Sequence, residues 1–184
     1  FESKSEWMGA RDIYVYLPAE YCNNAYSDNL KKFPVLYMLD GQNVWDHKNL
    51  PWQGWKVESS MERLVQEGKI QSAIVVGISN NRNRTKEYAG WCDELPDGDV
   101  VTDSAEFKRY ANEHRLMIVE EIIPFIEANF NVIQDRSGRV IAGSSYGAFC
   151  SAYFAASNPE VFSGAGLFSG GSTGFEQIIA TDGF

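Results

Sequence analysis

Two short, almost wholly apolar runs bracket a helix-like segment, and that arrangement leaves few folds open. Phe33 to Leu39 (FPVLYML) and Ser72 to Ile78 (SAIVVGI) lack the apolar/polar alternation of a half-exposed sheet, which marks strands buried on both faces of a parallel sheet. Between them, from Trp55 to Glu67, the residues Val57, Met61, Leu64 and Val65 recur near helical spacing, and Gly68 supplies a stop. Strand, crossover helix and strand make a right-handed parallel unit. An α/β architecture is therefore predicted, mostly parallel and with helices on both faces of the sheet.

The remaining segments extend that pattern. Asp12 to Leu17 (DIYVYL) reads as a strand ended by Pro18, followed by a polar loop through Tyr21 to Asn29. Asn80 to Asp103 is rich in Asn and Asp and too long for an ordinary connection, so a loop over the active face is predicted. A long helix fits Ser104 to Phe130, with Phe107, Tyr110, Ala111, Met117, Ile118, Ile122, Phe125 and Ile126 on one stripe and Pro124 expected to kink it. Arg139 to Ala142 is a short apolar strand, Gly143 to Gly147 a tight turn, and Ala148 to Ser157 a helix. Val161 to Phe168 gives one more strand.

At 184 residues the chain suits one domain, and 44% hydrophobic with 22% charged residues is a globular composition. A net charge of -9 disfavours nucleic acid, which is held by clustered Lys and Arg. No apolar run approaches the ~20 residues of a membrane-spanning helix, so a soluble protein without a membrane partner is expected, cytoplasmic or secreted. Cys22, Cys92 and Cys150 cannot all pair within the chain and form no zinc spacing; Cys150 is expected to be a buried, inert thiol.

The segment Gly143-Ser144-Ser145-Tyr146-Gly147 matches GxSxG between a strand and a helix. In that setting the serine sits on a strained turn, and small neighbours let the chain bend sharply. Ser145 is the predicted nucleophile. Backbone N–H donors for a developing oxyanion are expected from Tyr146, the next residue, and from the turn after the early strand, where Gly41 permits close approach and Gln42 is the best placed. Asn43, Trp45, His47 and Trp91 are candidate substrate contacts. A serine needs a base, usually a histidine oriented by a carboxylate. Both His47 and His114 precede Ser145, against the usual order in this kind of hydrolase, and His114 falls on an apolar stripe where core packing is expected. After Ser145 the carboxylates are Glu160, Glu176 and Asp182. Asp40, Asp46 and His47 share a loop, but their spacing fits no zinc or calcium pattern, and neither metal nor cofactor is expected.

Taken together these segments resemble the esterase D and enterochelin-esterase-like family of α/β-hydrolases, which includes feruloyl esterases. The resemblance rests on the strand ending in YLP, KFPVLYMLDGQNVW (Lys32 to Trp45), AIVVGISN with the downstream Arg84 and Glu87-Tyr88, EEIIPFIEANF (Glu120 to Phe130), RVIAGSSYGA (Arg139 to Ala148) and NPEVFSGAGLFSGG (Asn158 to Gly171). It implies an α/β-hydrolase fold and a serine carboxylesterase working through an acyl-enzyme on a small-molecule or carbohydrate-linked ester. Arg84 and Glu87 fall in an RxxEY element, expected to supply loop-anchoring ion pairs. Family members continue with further strands, an acidic residue and a histidine, so residues 1–184 are read as one domain truncated at its C-terminus, inactive by itself, with a bare apolar edge favouring self-association. The competing expectation is a catalytically incomplete binding module that presents Trp45, Trp52, Trp55 and Trp91 to a carbohydrate or aromatic ligand.

Overall fold

The computed structural model describes residues 1–24, 31–46, 54–91 and 103–170. Five strands form one sheet in the order β1-β3-β2-β4-β5, with β1 Ile13–Tyr16, β2 Val35–Leu39, β3 Ile74–Ile78, β4 Arg139–Ser144 and β5 Gly164–Phe168. Strands β3, β2, β4 and β5 run parallel, Val35 pairing with Ile74 on one side and Arg139 on the other, while β1 lies antiparallel to β3. The two apolar runs are thus adjacent central strands, joined by helix α2 (Val57–Gln66) as their spacing predicted.

Side chains of the central strands leave alternately for two cores. Val35, Tyr37 and Leu39, with Ile74, Val76 and Ile78 and with Ile141, face one helical layer. That layer comprises α4 (Ser104–Leu116), α5 (Ile123–Asn129) and α6 (Tyr146–Ser157), with Met117, Ile118, Ile122, Ile126 and Phe154 fully buried against the sheet. Met38, Val75 and Ala142 face the opposite side, where Val57 and Met61 of α2 cover them.

The structure corrects several boundaries. Residues Ala19–Asn24 form a short helix, α1, where a polar loop was expected. Part of the predicted loop after β3 is helical, α3 (Arg84–Ala89), held against α4 and α6. The last strand begins at Gly164, because the N–H groups of Val161 and Phe162 both donate to Asn158 O and close a turn. The long helix runs without a break from Ser104 to Asn129, as predicted, but its middle turn is wide. A π turn, Met117–Ile122, joins α4 to α5, and the Ile123 N–H reaches back five residues to Ile118 O. Pro124 lacks an N–H, and its ring presses on the preceding turn, so widening that turn relieves the clash.

Candidate active site

Strands β2 and β4 are neighbours, and both end in turns that regular backbone geometry does not allow. After Leu39 the chain enters Asp40 at φ 58° and ψ 46°, then a single 3-10 turn, Gly41–Asn43. After Ser144 it enters Ser145 at φ 57° and ψ -125°, and α6 starts at Tyr146. Positive φ in a non-glycine residue costs of order 1–3 kcal/mol and persists only where the surroundings enforce it.

The surroundings of Ser145 do so. Its N–H donates to Phe168 O of β5 at 3.0 Å, and its carbonyl accepts from the Ala148 N–H at 2.9 Å. A Cβ on Gly143 would lie 2.5 Å from the backbone carbon of Gly147, so the two arms of the turn touch and no larger residue fits. Ser145 itself stays exposed at the tip, while Gly147 to Ser151 behind it are buried. The β2 turn is equally crowded, since a Cβ on Gly41 would fall 2.4 Å from the carbonyl carbon of Gly77 in β3.

A polar lattice fixes Asp40. Arg84 Nε donates to Oδ1 and Arg84 Nη2 to Oδ2, both at 2.7 Å, and Asn80 Nδ2 donates to Oδ1 at 2.5 Å. The Asp40 N–H donates to the Tyr88 hydroxyl at 3.2 Å, and the Asn80 N–H donates to Gln42 Oε1 at 3.2 Å. Burial works against the charge on Arg84, and the bonds to Asp40 more than offset it, leaving its pKa above the ordinary value. One turn further along α3, Glu87 forms a fully buried pair with Arg11, which precedes β1. The two ion pairs expected of the RxxEY element are therefore present, and α3 is pinned at both ends.

The substrate-contact candidates are placed unevenly. Asn43 spends its backbone on the turn, its N–H donating to Asp40 O at 2.8 Å and its carbonyl accepting from Trp55 N–H at 2.7 Å. Trp45 tilts against Tyr16 at 6.4 Å and joins the Met38 and Val75 cluster on the α2 side of the sheet. Trp91 is only 8% exposed, stacks on Tyr153 at 6.0 Å and donates its indole N–H to Tyr88 O at 2.7 Å. Neighbouring side chains thus fix the rings of Trp45 and Trp91 in place. His47, Trp52, Cys92, Glu176 and Asp182 lie outside the described residues.

His114 is buried as predicted. Its ring stacks on Tyr88 at 5.3 Å, and Nδ1 lies 4.0 Å from Cys150 Sγ. Burial, aided by the charge of Arg11, lowers its pKa to about 3, so it is neutral at ordinary pH. Cys150 is likewise buried, and burial raises its thiol pKa well above the usual value. Among the described residues no cluster of three or more His, Cys, Asp or Glu is arranged to hold a metal ion, and no helix is long and apolar enough to cross a membrane. An apolar groove of about 550 Å³ runs along the α2 side, lined by Leu36, Met38, Met61, Ala142 and Phe168 and reaching Ser144.

Asn80 and Tyr88 stand in the sequence only as members of motifs, without a role of their own, and nothing in the sequence marks Arg11 as part of this site. Arg11 and Glu87 are 76 residues apart, and no periodicity links them.

Comparison with known proteins agrees with this architecture. A segment of the endo-1,4-beta-xylanase/feruloyl esterase of Xylanibacter ruminicola is 30% identical over 169 residues, covering 89% of this chain and 20% of that protein. An IroE-like serine hydrolase from Shewanella oneidensis superposes with a TM-score of 0.66 at 25% identity, covering 90% of this chain and 48% of that one. A ferulic acid esterase superposes with a TM-score of 0.64 at 27% identity, covering 92% and 56%. The chain thus spans about half or less of the length of these proteins. A family model described as "Putative esterase" matches residues 5–175, nearly the whole chain, and the protein belongs to that esterase family of α/β-hydrolase fold.

Proposed function

We propose that the protein is a serine carboxylesterase in which Ser145 attacks the ester carbonyl and carries the acyl group. The carrying observation is the exposed Ser145 held at φ 57° and ψ -125° between β4 and α6 in a chain of the esterase family. At this junction the hydroxyl stands clear of the strand, and the N–H of the next residue turns toward the same side.

In this reading the Gln42 and Tyr146 N–H groups form the oxyanion site. Both residues lie in the turns that follow the two positive-φ residues, Gln42 in the 3-10 turn after Asp40 and Tyr146 at the start of α6 after Ser145. The rigid Asp40 lattice supports preorganisation, which is what makes such donors effective in a transition state. The base is a different matter. His114 is neutral but enclosed by Tyr88, Phe154 and Cys150, so it is not the residue that takes the Ser145 proton. That role falls to a histidine outside the described residues, with a carboxylate to orient it.

Two relatives above 25% identity, the endo-1,4-beta-xylanase/feruloyl esterase and the ferulic acid esterase, carry this activity in their names. Hydroxycinnamate esters of sugars are therefore the substrate class to test first. In the full natural protein, hydrolysis of methyl ferulate and of simple aryl acetates is expected, with an initial burst of alcohol product from acylation. Wild-type rates in Ser145→Ala would overturn the assignment.

A further inference from the structure

We infer that Arg84 is the positioning residue of the oxyanion site, because one guanidinium grips the first donor segment and lies beside the second. This rests on the roles proposed for Ser145, Gln42 and Tyr146. On the β2 side Arg84 grips both carboxylate oxygens of Asp40 at 2.7 Å, with Asp40 only 2% exposed and Arg84 29% exposed. Asp40 stands in the left-handed region at φ 58° immediately before Gly41 and Gln42, so whatever fixes Asp40 fixes the direction in which the Gln42 N–H points. On the β4 side the same guanidinium lies 5.9 Å from the ring centroid of Tyr146, the residue after the nucleophile, and 4.8 Å from that of Tyr88. The elbow also reaches Asp40 directly, since a Cβ on Gly147 would be 3.4 Å from Asp40 Oδ2.

Arg84 therefore sits between the two turns. Hydrogen-bonded to the buried carboxylate through its fork and lying near the Tyr88 and Tyr146 rings, it keeps the two donors at one separation. A lysine offers a point charge without the fork or the stacking plane. An ion pair that merely stabilised the fold would change the amount of folded protein and leave turnover per folded molecule alone. Moving a donor by about 1 Å costs on the order of 10²-fold in rate.

The test compares wild type with Arg84→Met, Arg84→Lys and Asp40→Asn in the full natural protein. Each is measured for kcat and KM on an aryl acetate and for the rate of inactivation by a fluorophosphonate. In that inactivation Ser145 Oγ bonds to phosphorus, fluoride leaves, the hydroxyl proton passes to the base, and the phosphoryl oxygen occupies the oxyanion site. Rates are normalised to the folded fraction. Arg84→Met is expected to lower kcat by about 10- to 100-fold with KM changed less than about threefold, and to slow inactivation in parallel. Arg84→Lys should recover only part of the loss, and combining Arg84→Met with Asp40→Asn should cost no more than the worse single change. Arg139→Met, which breaks a pair with Glu127 at the opposite end of β4, should reduce stability without changing kcat. Should Arg84→Met not fold, Tyr88→Phe removes only the acceptor for the Asp40 N–H and should still lower kcat several-fold. Unchanged kcat in the folded variants overturns the inference, as does a rise in KM alone, which would make Arg84 a substrate contact. A wild-type protein that takes no label on Ser145 overturns the serine reading beneath it.

Discussion

The two ends of the central strands are built differently. Toward their amino ends β2 and β4 are regular: Val35 pairs with Ile74 and Arg139 in register, and Phe33 just before β2 is fully buried and bridges Val132. At their carboxyl ends β2, β4 and β5 each run into a non-glycine residue of positive φ, namely Asp40 at 58°, Ser145 at 57° and Ser169 at 52°. Apolar burial, in which many small contacts sum, holds the first end together with the Arg139–Glu127 ion pair. Glycine contacts and directed hydrogen bonds hold the second, where the backbone is strained and Ser145 is exposed. In open α/β sheets ligands bind outside the carboxyl ends of the strands. The contrast sets regular, packed backbone and strained, exposed backbone at opposite ends of the same strands.

If that division is real, substitutions at the two ends should separate activity from stability. The largest effect is expected for Ser145→Ala, a loss of at least about 10³-fold in ester hydrolysis with the unfolding midpoint held within a degree or two, read by steady-state kinetics and thermal melts. Next is Glu87→Gln, which leaves the fully buried Arg11 guanidinium without its counter-charge. A loss of about 3–5 kcal/mol is expected in urea unfolding. An effect below 1 kcal/mol would mean that α3 is not pinned as described.

The pH dependence comes third. His114 has a folded pKa of about 3 against an ordinary 6.5, so the unfolded chain binds the extra proton as pH falls below 6.5. Stability from this group is therefore full above 6.5 and is lost toward pH 3 by roughly 1.4 kcal/mol per pH unit. His114→Gln should flatten that slope by about one proton, measured by urea titrations across the range. The smallest effect sharpens the comparison most. Ser145→Gly should be more stable than Ser145→Ala by about 1–3 kcal/mol, because glycine accepts the strained conformation. Equal stabilities would mean the elbow is relaxed.

How far the sequence disclosed this depended on whether a signal was local. β2 and β3 were legible because a run such as IVVGI, buried at every position, leaves no other use for itself in a chain of this composition. The elbow was legible because GxSxG states its geometry through residue size. Helix α3 was not, since six residues (RTKEYA) are too few for a period to show, and its buried side chains Glu87 and Tyr88 look like surface residues until Arg11 and Asp40 are brought to them. The π turn escaped for a related reason. A proline predicts a disturbance, but whether the helix bends or widens is decided by what packs around Ile118 and Ile122. The packing of Trp45 and Trp91 was not legible either, because their ring partners Tyr16 and Tyr153 lie far away in the sequence.

The central claim is that the carboxyl ends of β2 and β4 form an acylating serine site. Its most direct test is to incubate the full natural protein with a slowly released aryl ester, quench in acid and map the peptides by mass spectrometry. The account predicts one acyl group on the peptide containing Ser145, absent in Ser145→Ala. Ester hydrolysis with the acyl group on another residue, or hydrolysis undiminished in Ser145→Ala, would contradict it.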